Sequence, residues 1–73
     1  MSKLPILSGK ELIKILQKHG FEIVGQKGSH VRLKKITTEK IYITVVPLHE
    51  TISPGTLLSI LKQANLEREE INL

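Results

Sequence analysis

The chain has 73 residues, 40% of them apolar, with one Phe, one Tyr, no Trp, no Cys and a net charge of +4. That length supports a single domain over residues 1–73 with a small, continuous core. The scarcity of rings argues against a sheet that stacks bases on several aromatics, and without cysteine there are neither disulfides nor a thiolate zinc site, which fits a reducing compartment.

The first predicted element is a helix over residues 8–20, SGKELIKILQKHG. Ser8 followed by Glu11 has capping-box spacing, Leu12, Ile13, Ile15 and Leu16 form an apolar stripe, and Gly20 suits a left-handed C-terminal stop. FEIVGQ alternates as a half-buried strand, KGS turns the chain, and HVRLKK alternates again. ITTE is a polar connection, and KIYITVV is a third strand with Ile41, Ile43 and Val45 on one side and Tyr42 and Thr44 on the other. Pro47 ends it. SPGTLLSILKQAN is a second helix, with Ser53 as N-cap, Pro54 at the first helical position and Asn65 tolerant of positive φ at the end. The acidic tail LEREEINL adds a short turn at most.

The expected fold is therefore α+β, in the order α-β-β-β-α: a three-stranded antiparallel sheet with both helices on one face. Strand parity then leaves Glu22, Val24, Gln26, His30, Arg32, Lys34, Tyr42 and Thr44 on the open face. The longest apolar run, IYITVV, falls far short of the ~20 residues of a membrane helix. No charged-then-apolar leader opens the chain. The expectation is a soluble cytoplasmic protein without membrane contact.

Charge is uneven. Residues 66–73 hold three Glu against one Arg, whereas residues 27–40 hold five basic residues and one acid. Such clustering is the footprint of a polyanion binder, and also a common device for solubility. The histidines, His19, His30 and His49, fall on a helix end, a strand and a loop with no ligand spacing, so no metal site is expected. The amide donors of SPGT serve a helix cap before they serve an anion. RNA cleavage by attack of a 2′-hydroxyl on the adjacent phosphate remains. An imidazole can take up and return a proton near neutral pH. Lys27, Arg32 and Lys34 beside it can stabilise charge developing on phosphate oxygens. No cofactor is required.

The stretches SGKELIKILQKHGFEIVGQKGSHVRL and TVVPLHETISPGTLLSILKQANL carry a resemblance over about residues 8–71. A helix ending in Gly-Phe, a Gly-Ser-His turn, a Val-Pro-x-His segment and a Gly-Thr-Leu helix start resemble the HicA-type (YcfA-like) toxins, mRNA interferases of type II toxin–antitoxin pairs. The resemblance implies a fold similar to double-stranded RNA-binding domains. It makes His30 the catalytic histidine, Gly28 and Ser29 the turn that presents it, and Lys27 and Arg32 RNA contacts. It also implies a single-stranded or messenger RNA substrate and a HicB-type antitoxin that covers the site. The group that protonates the leaving 5′-oxygen stays open between His49, Lys27, Tyr42 and water. The competing readings are a non-catalytic RNA-binding module using the basic face and a protein-interaction domain.

Overall fold

The computed structural model describes residues 4–71. In chain order it has α1 (Gly9–Lys18), β1 (Glu22–Lys27), β2 (His30–Ile36), β3 (Ile41–Pro47), α2 (Pro54–Ala64) and α3 (Arg68–Ile71). The strands form one antiparallel sheet in the order β1-β2-β3. This is the expected α-β-β-β-α arrangement, with α3 as the turn anticipated in the acidic tail. Residues 72–73 of that tail and residues 1–3 of the lead-in lie outside the described residues.

The helix ends follow from their capping residues. The Ser8 hydroxyl accepts from the Glu11 amide at 3.1 Å, and the Glu11 carboxylate accepts from the Ser8 amide at 2.9 Å. These bonds satisfy donors that the first turn of a helix leaves without partners. Gly20, with φ of 94°, and Asn65, with φ of 57°, take the left-handed conformations that stop α1 and α2. Ser53 caps α2 by accepting from the Thr56 amide at 3.4 Å. α3 folds back so that Ile71 is buried, and the His19 ring Nε2 lies 3.2 Å from the Glu70 carbonyl oxygen.

Hydrogen bonds from Ser8 to the ionised Glu11 carboxylate hold its pKa below the usual value. A group with a lowered folded-state pKa adds stability at pH above its unfolded pKa, and that stability is lost as pH falls through the folded value. Glu11→Gln is therefore expected to lower the melting temperature at pH 7. The difference from wild type should shrink as pH falls below about 4.5 in paired thermal melts. An equal difference at pH 7 and pH 3 would rule out the charged capping box as its cause.

The core lies between the helices and one face of the sheet. Leu12 and Leu16 of α1, Val31 and Leu33 of β2, Val46 of β3 and Leu57, Ile60 and Leu61 of α2 are buried together. Each fully buried branched side chain of this kind contributes roughly 1.5–3 kcal/mol relative to an exposed one. Among the described residues nothing covers the other face of the sheet.

Two strands depart from the expected faces. In β3 the expected faces are exchanged: Tyr42 and Thr44 do not lie on the open face. Register pairs Thr44 with the buried Leu33 and Val46 with the buried Val31, so these residues share the helix side. Thr44 is 1% exposed, and its hydroxyl donates to Gln63 Oε1 at 2.8 Å, which removes the cost of burying it. Tyr42 is half-buried on the same side, its hydroxyl 3.5 Å from Asn65 Nδ2. Ile41, Ile43 and Val45 consequently stand on the open face.

In β1 the register shifts between Ile23 and Gly25. This bulge inserts Val24 without a cross-strand partner and resets the alternation behind it. Gln26 then pairs with the inward Val31, and Gly25 and Lys27 pair with Arg32 and His30. Gln26 therefore leaves the open-face row, and Lys27 joins it.

Candidate functional site

A tight hairpin turn places the imidazole. Lys27 pairs with His30 across it, and between them Gly28 has φ of 60°, as the first central position of a type II′ hairpin turn favours. The Gln26 side-chain amide donates to the Gly28 carbonyl at 3.1 Å. The Ser29 carbonyl accepts from the Leu48 amide at 2.7 Å, which fastens the turn to the chain leaving β3. That segment is fastened in turn: the Gly9 amide donates to the His49 carbonyl at 2.9 Å, and the Ile52 amide donates to the Leu7 carbonyl at 2.7 Å. Gly9 makes this approach possible, because a Cβ on it would collide with the Pro47 carbonyl oxygen.

His30 opens β2, opposite Pro47. Its side chain is exposed, and among the described residues it has neither a hydrogen-bond nor an ion-pair partner. Pairing continues down the open face, Arg32 with Val45 and Lys34 with Ile43. A cationic row therefore runs along the central strand, beside an apolar row one strand away. Lys27, His30, Arg32, Lys34, Ile43 and Val45 border a single open groove, which Gly28 and Ser29 close at the hairpin end.

All six predicted site residues, His30, Lys27, Gly28, Ser29, Arg32 and Lys34, thus lie around one groove. Of the groups weighed for the second proton transfer, only Lys27 borders it. The Tyr42 hydroxyl is on the helix side of the sheet, and His49 is an exposed loop residue outside the groove lining. Of the SPGT amides, that of Thr56 donates to the Ser53 cap.

No carboxylate lines the groove among the described residues, and Glu22 lies beside Lys34 at the far end of β2. No group of three or more His, Asp or Glu side chains that could hold a metal ion is present among those residues. An unpaired imidazole among ammonium and guanidinium groups can exchange a proton with a bound polyanion while the cations hold its phosphates.

Three contributors escape a reading of the sequence: Gly9, Ile43 and Val45. Gly9 has no signal in the chain beyond being a glycine before a helix. Ile43 and Val45 were assigned to the core. Val24 lies on the open face as plain alternation expects, and the bulge there moves Gln26 off that row and Lys27 onto it. An isolated glycine inside a strand pattern, Gly25, is the cue that marks such a bulge.

Among the described residues no helix is long and apolar enough to cross a membrane. No curated protein matches the chain. A family model described as HicA toxin of bacterial toxin-antitoxin matches residues 9–66, within the span that carries the Gly-Ser-His turn and both main helices. The chain therefore belongs to the HicA toxin family, the toxin half of a toxin–antitoxin pair, and so implies an antitoxin partner.

Proposed function

We propose that the protein is a metal-independent endoribonuclease acting on messenger RNA in the cytoplasm, with His30 as general acid–base. The observation that carries this reading is the His30 ring, without a partner among the described residues, on the open face at the head of the Arg32 and Lys34 row. In the first step the imidazole accepts the proton of a ribose 2′-hydroxyl. The oxygen attacks the adjacent phosphorus, and the bond to the 5′-oxygen breaks. Lys27, Arg32 and Lys34 stabilise the charge that gathers on the non-bridging phosphate oxygens. The leaving 5′-oxygen takes a proton from Lys27 or from water.

Hard divalent cations favour carboxylate and carbonyl oxygen ligands, and the groove presents no carboxylate among the described residues. Cleavage of a labelled messenger RNA is therefore expected to persist in EDTA, with the 5′ fragment ending in a cyclic phosphate. Loss of cleavage on chelation, restored by added metal, would overturn the mechanism.

The same groove is the surface that a HicB-type antitoxin would neutralise by covering it. Expression of the chain alone in growing cells is expected to arrest growth, and co-expression of the cognate antitoxin should relieve the arrest. A non-catalytic RNA-binding module would instead show RNA retention without fragments.

A further inference from the structure

The apolar row of β3 has no packing role among the described residues, none of whose other elements covers that face. Ile43 is 52% exposed, Val45 39%, and Val24, on the opposite flank, 51%. All three border the groove whose floor carries His30, Arg32 and Lys34. We propose that Ile43 and Val45, with Val24 across from them, form a shelf for nucleobases, so that the groove takes unpaired single-stranded RNA and rejects duplex. The inference rests on the ribonuclease reading and names how its substrate is held.

Register and charge support it. Arg32 sits directly opposite Val45, and Lys34 opposite Ile43. Opposed residues in an antiparallel pair lie about 5 Å apart at Cβ. Each cation is thus accompanied by one branched apolar side chain at a single strand spacing. A single strand of RNA has the complementary pattern, one negative phosphate and one flat, largely apolar base per repeat. A duplex does not: its bases are stacked inside, and its accessible groove presents hydroxyls and phosphates, which leave an aliphatic shelf uncovered. Aromatic stacking is unavailable here, since Phe21 is buried and Tyr42 faces the helices. Ile and Val offer area without hydrogen-bond readout, so the shelf accepts any base.

The test uses protein carrying His30→Ala, so that RNA stays whole, and fluorescence anisotropy. Three probes of equal length are compared: a labelled ten-nucleotide single strand, the same strand with abasic ribose throughout, and a duplex. The single strand is expected to bind about tenfold more tightly than the abasic strand, from the apolar area that the shelf gives up. Adding Ile43→Thr and Val45→Thr, which keep β-branching at exposed positions, should bring the single strand to the abasic level and leave abasic binding unchanged. Val24→Thr alone, with the native circular-dichroism spectrum, should give a smaller loss in the same direction.

Equal binding of single and abasic strands, preference for the duplex, or full single-strand affinity in the shelf variants would each overturn the shelf. So would shelf variants that lose only affinity for the antitoxin, which would assign the strip to a protein partner. Cleavage by the chain with His30 intact is scored separately. If cleavage fails while base-dependent binding stands, the enzyme reading falls and the shelf survives.

Discussion

His30→Ala is expected to lower the rate of RNA cleavage by about 10²- to 10⁴-fold, the range a positioned general acid–base contributes. Retention of RNA should change little, because Lys27, Arg32 and Lys34 remain to hold phosphates. The ring is exposed and has no partner within the chain among the described residues, so its removal breaks no packing or hydrogen bond. The melting temperature is expected to stay near that of the wild type. Loss of cleavage together with unfolding would signal a structural role instead. Undiminished cleavage would move the chemistry to another group, and absence of cleavage in both proteins would favour the binding module. Arg32→Ala gives the complementary signature: weaker binding and a shallower dependence of affinity on salt.

Gly9→Ala is expected to produce the largest loss of stability among the Gly→Ala changes in this chain. The added Cβ would meet the Pro47 carbonyl oxygen and would lie 2.9 Å from Leu48 Cα. Both obstacles are backbone, so the helix start or the end of β3 must move. Overpacking of this kind costs about 3 kcal/mol at the upper end of its usual range, and the helix preference of Ala over Gly returns up to about 1 kcal/mol. A net loss of about 2 kcal/mol lowers the melting temperature of so small a domain by roughly 8–16 °C.

Because Pro47 stands opposite His30, cleavage should fall as well, at temperatures where the variant is still folded. Gly55→Ala is the control. Nothing lies within 4 Å of its added Cβ, and the position is helical, so stability should be unchanged or slightly raised. Equal melting temperatures for the two variants would rule out the close approach at Gly9.

The helix boundaries could be read from the chain because capping is local chemistry. Ser8 with Glu11, Ser53 with Pro54, Gly20 and Asn65 each do what their type and position require. The β2 faces were also readable, since Val31 and Leu33 contrast sharply with His30, Arg32 and Lys34.

β3 was not. In IYITVV both sides carry β-branched or aromatic residues, so alternation does not say which side goes in. What decides is the register against β2 and the acceptor that Gln63 offers to Thr44, and both are tertiary. Plain alternation in β1 likewise fails at a bulge. The cationic part of the groove was therefore legible, and its apolar flank was hidden by a rule that assigns isoleucine to the interior.

The fastening of the hairpin turn has a bearing on divergence among such chains. Ser29, Leu48, Gly9, His49, Ile52 and Leu7 meet through amides and carbonyls, groups that every residue but proline supplies in full. Side chains at His49, Glu50 and Thr51, exposed on that loop, can therefore change without loosening the fastening. The imidazole at the head of β2 would be held in place throughout.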